Sequence, residues 1–85
     1  MYQILISQSA EKEMDKLPLK VNRRLDIAIG ALAQNPRPTG CKKLKGVHES
    51  TWRIRVGDYR IIYGVDDTIK IIDIRKVGHR KDIYD

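Results

Sequence analysis

Residues 52–63 read Trp52-Arg53-Ile54-Arg55-Val56-Gly57-Asp58-Tyr59-Arg60-Ile61-Ile62-Tyr63, and this stretch decides the fold. Large apolar residues alternate with arginines at a period of two, as in a half-buried strand. Gly57-Asp58 is a Gly-X pair, the signature of a two-residue type II′ hairpin loop. With that loop, Val56 pairs with Tyr59, Arg55 with Arg60, Ile54 with Ile61 and Trp52 with Tyr63. Trp52, Ile54, Val56, Tyr59, Ile61 and Tyr63 then share the core face, and Arg53, Arg55 and Arg60 share the other. Like charges directly opposite destabilise a sheet, so Arg55 against Arg60 asks for a reason. A solvated face with splayed side chains is the bland one. The functional one is an anion site: arginine forks match phosphate oxygens, and several on one phosphate stabilise added transition-state charge.

Downstream, Asp66-Asp67 reads as a second tight turn and 69–75 as a further strand. Turn chemistry explains this acidic pair better than metal binding does. In that register Ile72 and Ile74 join the core face, while Ile71, Asp73 and Arg75 join the arginine face, with Asp73 opposite Arg60. A slip of one residue would exchange the faces of this strand. The tail, 77–85, is short and polar, with room for one helical turn. Upstream, residues 2–6 are rich in β-formers. Ser7 and Ser9 both suit a helix N-cap, and Ala10, Met14 and Leu17 repeat at helical spacing. Pro18 suits the start of a second helix, over about 18–34, whose apolar stripe is Val21, Leu25, Ala28, Ile29 and Leu32. Lys20, Arg23, Arg24 and Asp26 face outward. The cluster 35–40, with Pro36, Pro38 and Gly40, ends that helix. The order is β-α-α-β-β-β, an α+β fold with two N-terminal helices packed on an antiparallel sheet.

Eighty-five residues, 41% hydrophobic and 33% charged, predict one globular domain over 1–85. Seventeen lysines and arginines against eleven acids give a net charge of +6, which favours a polyanionic partner: nucleic acid, ribosome or an acidic protein. Eleven of the basic residues lie in 41–85, where the strands are. No apolar run approaches the roughly 18–20 residues that span a bilayer. The first residues lack signal-peptide features, so a cytoplasmic location is expected, with no membrane partner. Cys41 is the single cysteine, so no internal disulfide forms. No phosphate-cradling glycine loop, HExxH or CxxC pair occurs, and neither metal nor cofactor is expected.

The tail adds Arg80 and Lys81, the one imidazole near the arginines (His79) and a phenol (Tyr84). RNA can be cut without metal when its 2′-hydroxyl attacks the neighbouring phosphorus, given a base and an acid. Histidine serves as both near neutrality. Tyrosine titrates near ~10, and cations lower that by stabilising phenolate. Each alone has an ordinary reading, a turn histidine and a packing tyrosine, and only their combination with the arginines points to chemistry. His48 has no such setting and reads as a surface residue.

Leu44-Lys45-Gly46, the 52–63 block and Gly78-His79-Arg80-Lys81-Asp82-Ile83-Tyr84 together resemble the signature blocks of RelE-type toxins of the RelE/ParE superfamily. The strand and two helices before them match as well. The resemblance implies a RelE-like microbial RNase fold. It implies a type II toxin that cleaves mRNA on the ribosome by 2′-hydroxyl attack, without metal, and a cognate RelB-like antitoxin that neutralises it. By position, it implies that Arg60 and Arg80 bind phosphate and stabilise the transition state. It implies that Tyr84 acts in catalysis or base stacking, and that Lys45 contacts RNA. Arg53 and Arg55 stand where well-studied members carry lysines, one of them a proposed general base. Arginine does not deprotonate in proteins, so the base here is Tyr84 or His79, or the site acts mainly by charge. Arg53, Arg55, Arg75 and Lys81 complete the expected RNA-binding set. A ParE-like poison of DNA gyrase shares the fold and the 52–63 block. A degenerate toxin that keeps only antitoxin or operator binding is the third alternative.

Overall fold

The computed structural model describes residues 1–45 and 50–82. Among these residues, five strands and two helices follow in the order β1 (Gln3–Ile6), α1 (Gln8–Asp15), α2 (Leu19–Leu32), β2 (Lys42–Lys43), β3 (Thr51–Val56), β4 (Tyr59–Asp66) and β5 (Ile71–His79). They form one sheet in the order β1-β5-β4-β3-β2, with the helices on one face. Among the described residues, no helix is long and apolar enough to cross a membrane.

Each helix starts where its sequence says it should. Ser7 is the α1 N-cap, and its Oγ accepts the Ala10 N–H at 3.1 Å, satisfying a donor that has no partner inside the helix. Pro18 occupies the N-cap of α2, where its missing N–H costs nothing. Asn22 on α2 donates through Nδ2 to the Met14 carbonyl at 2.7 Å, fixing the corner between the helices. Ala10, Met14, Leu25, Ile29 and Leu32 are buried against Ile54, Ile61, Tyr63, Val65, Ile72, Ile74 and Val77 of the sheet.

The first hairpin follows its local chemistry. Gly57 has φ +61° and Asp58 keeps a negative φ, as a type II′ turn requires. The pairs Trp52–Tyr63, Ile54–Ile61, Arg55–Arg60 and Val56–Tyr59 form as expected.

The rest of the sheet departs from the sequence reading in three ways. First, the β4–β5 connection is longer. The Asp66 carboxylate accepts from the Thr68 and Ile69 backbone N–H groups at 2.9 and 3.2 Å, and Lys70 closes the turn at φ +59°. Asp66 therefore pairs with Ile71, and Asp73 lies opposite Gly64, not Arg60. The slip is by an even number of residues, so Ile72 and Ile74 still face the core, both fully buried. Second, β5 runs on to His79, with a register shift opposite Ile62/Tyr63 that leaves Arg75 as the extra residue. This bulge turns Val77 into the core and places Gly78 opposite Arg60. Third, the sheet is not wholly antiparallel. β1 pairs in parallel with β5, and the two-residue β2 adds an edge beside β3.

Loop 35–40 is tied down at the far end of the sheet. The Tyr63 hydroxyl donates to the Pro36 carbonyl at 2.6 Å, and burial pushes this phenol well above its ordinary pKa. Arg37 pairs with Asp67 at 2.7 Å and lies over the Trp52 ring at 5.2 Å. The Tyr2 hydroxyl donates to the same carboxylate at 2.6 Å.

Candidate functional site

On the sheet face opposite the helices, beside the β3–β4 turn, arginines collect. Arg55 near the end of β3 and Arg60 near the start of β4 are direct cross-strand partners. Their side chains leave the sheet on the same side, away from the helices. The chain leaving β5 returns to this corner: the Arg80 N–H donates to the Asp58 carbonyl at 2.8 Å. Arg55, Gly57, Arg60 and Arg80 line one cleft of about 150 Å³. Arg55 is exposed, and Arg80 only approaches the exposed Asp58 carboxylate, at 3.9 Å. A surface pair of that length contributes little, so much of the charge on Arg80 remains available to an anion.

The remaining site candidates scatter around this cleft. Arg53, one step along β3, is only 4% exposed, between Lys42 of β2 and Ile62 of β4. It lies beneath the surface. Arg75 is engaged elsewhere: Nε donates to Asp73 at 2.6 Å and Nη1 to Thr51 Oγ1 at 2.7 Å. It crosses Gly64, where a Cβ would collide with both Arg75 Nη2 and Asp73 Oδ1. Lys45 lies past β2, lining a shallow hollow of about 280 Å³ with Lys42, Lys43 and Leu44. Lys81 is exposed just after Arg80.

His79 pairs with Tyr59, which puts its ring on the helix face. It meets the Tyr59 ring edge-on, with centroids 5.4 Å apart. Its Nδ1 accepts the Lys81 N–H at 3.1 Å, so the neutral ring carries its proton on Nε2. Arg55 and Arg60 project to the other side. Tyr84 and His48 lie outside the described residues.

One cation at this corner has no signal in the sequence. Arg24, on the second turn of α2, looks like an outward-facing helix residue. In the fold its guanidinium rests on Gly57, the residue that lines the cleft. A Cβ at Gly57 would lie 2.7 Å from Arg24 Nη2 and 3.3 Å from Cζ. Glycine suits this position for its positive φ, and a Cβ here would displace the end of the Arg24 side chain. Nothing local links positions 24 and 57, so only the packing of α2 on the sheet reveals the contact.

Chemically, three guanidinium groups on one cleft could receive an anion: their N–H forks match phosphate oxygens, and the hairpin and the Arg80 backbone hydrogen bond bring their backbones together. Arginine is no proton acceptor, so these groups supply charge and position, and any proton transfer falls to another residue.

Comparison with known proteins agrees with this architecture. Residues 4–84 match the model of the family described as the ParE toxin of the type II toxin–antitoxin system parDE. The chain is 32% identical over 84 residues to toxin RelG of Mycobacterium tuberculosis, covering 98% of this chain and 95% of that one. It is 34% identical over 86 residues to toxin RelE3 of Methanocaldococcus jannaschii, covering 96% and 94%. Among solved structures it resembles the archaeal RelE–RelB complex from Pyrococcus horikoshii, with a TM-score of 0.84, 31% identity, and coverage of 96% of this chain and 98% of that one. The chain belongs to the ParE toxin family of type II toxin–antitoxin systems, with a RelE-like sequence and fold.

Proposed function

We propose that this toxin is a metal-independent endoribonuclease that cleaves mRNA on the ribosome. The observation that carries the reading is the convergence of Arg55, Arg60 and Arg80 on one cleft. In the proposed reaction the 2′-hydroxyl of the RNA attacks the adjacent phosphorus, and the 5′-oxygen leaves, giving a 2′,3′-cyclic phosphate. Arg60 and Arg80 hold the scissile phosphate and stabilise the charge that builds on its oxygens. Arg55 adds charge beside them. Of the wider basic set, Lys45 and Lys81 are exposed and thus readiest to meet RNA, while Arg53 is buried and Arg75 is held by Asp73 and Thr51. We assign proton transfer to Tyr84 ahead of His79, because the His79 ring turns to the helix face with Tyr59. Cations stabilise phenolate, so a tyrosine that reaches the arginine cleft would serve better as a general base.

The partner that restrains this activity is proposed to be a cognate RelB-like antitoxin, because a solved neighbour is a RelE–RelB complex. A cytoplasmic location follows from action on ribosomes. The ParE description of the matching family model favours a second reading, a gyrase poison that cuts no RNA. The RelE and RelG names of the relatives weigh toward the nuclease.

The deciding experiment is mRNA cleavage by the purified chain with and without 70S ribosomes, with Arg60→Ala and Tyr84→Phe alongside. Ribosome-dependent cuts ending in cyclic phosphate and lost in Arg60→Ala are the expected result. No cuts on competent ribosomes, together with DNA-damage signalling in expressing cells, would replace this reading with gyrase poisoning.

A further inference from the structure

We infer that Arg24 forms a second phosphate position, one nucleotide away from the phosphate held by Arg55, Arg60 and Arg80, on the far side of the Gly57 turn. The inference rests on the proposal that the arginine cleft holds an RNA phosphate. Three observations carry it. The Arg24 guanidinium approaches Gly57: a Cβ there would stand 2.7 Å from Nη2, 3.2 Å from Nη1 and 3.3 Å from Cζ. Gly57 itself lines the cleft, so Arg24 and the first receptor share this residue as a neighbour. Among the described residues no carboxylate pairs with Arg24, and its side chain is exposed.

A cation beside the turn, without an acid to neutralise it, keeps its charge for an anion. The sheet twists, and α2 packs across its helix face, so the two receptors face different sides of one turn. A single strand bent over the turn would present successive phosphates to them. Phosphate contacts position a nucleic acid without reading its sequence. Arg24 is thus a binding residue that sets how the strand enters the cleft.

The test measures binding without cleavage, so it stands whether or not the chain cuts RNA. The probes are 2′-O-methyl oligoribonucleotides, which lack the attacking hydroxyl: a dinucleotide with one phosphate and a tetranucleotide with three. Affinities at several low salt concentrations are compared for wild type, Arg24→Ala and Arg24→Lys. The expected result is a roughly tenfold loss for the tetranucleotide in Arg24→Ala, the scale of one charge-assisted contact. The salt slope should fall by roughly 0.7, the counterion release of one single-strand phosphate. The dinucleotide should bind unchanged, and Arg24→Lys should recover part of the loss. An equal loss for both probes would make Arg24 a support for the turn and overturn the inference. So would an unchanged tetranucleotide affinity, or a wild-type protein that gains nothing from the added phosphates.

Discussion

Arg55 and Arg60 stand directly opposite each other across the β3–β4 hairpin, and both line the cleft that Arg80 completes. Opposed like charges cost up to about 1 kcal/mol in a sheet. An anion that binds only the folded state returns stability by mass action. Inorganic phosphate should therefore raise the melting temperature of the wild-type chain more than that of Arg55→Ala, at matched ionic strength. Equal increments in calorimetry would show that Arg55 takes no part in holding phosphate.

Arg60→Ala and Arg80→Ala should each lower single-turnover cleavage on ribosomes by at least ~100-fold, the scale of losing a positioned electrostatic stabiliser. Arg75→Ala should cost far less, because its guanidinium is already held by Asp73 and Thr51. Rates for Arg60→Ala within about threefold of wild type would remove it from the transition state.

Gly64→Ala should destabilise the fold by about 1–3 kcal/mol, the cost of forcing atoms into filled space. The added methyl meets Arg75 and Asp73, which cross this position. In denaturant unfolding, the double variant Gly64→Ala/Arg75→Ala should lose less than the sum of the single losses, since removing the guanidinium makes room. Strict additivity would mean that Arg75 swings away at no cost.

Asp67 should titrate at about 2, held down first by the Arg37 hydrogen bond and then by that of Tyr2. Its pKa is lower in the folded than in the unfolded chain. Its stabilising contribution is therefore complete above the ordinary carboxylate value near ~4 and disappears as pH falls toward 2. In NMR titration, Arg37→Ala should move the Asp67 midpoint back up and flatten the acid limb of the stability curve. An unmoved midpoint would show that Arg37 is not its partner in solution.

The hairpin at 52–63, its II′ turn, the buried stripe of α2 and a serine cap at position 7 or 9 were all legible in the sequence. Each is decided by residues within a few positions of one another, through strand alternation, turn stereochemistry or helix periodicity. The grouping of Arg55 with Arg60 follows from that same local register, so half of the cleft could be read without a structure.

The other half belongs to the tertiary structure. Arg80 reaches the cleft only because β5 pairs after a four-residue turn, bulges at Arg75 and continues to His79. A bulge changes the register by one residue with no mark in the alternation. The parallel pairing of β1 with β5 and the meeting of Arg24 with Gly57 join distant parts of the chain. The side of the sheet on which His79 lies depends on the same bulge. Local patterns set which face of each element is apolar. Which elements meet, and in what register, is decided by burying those faces together, and that choice depends on the whole chain at once.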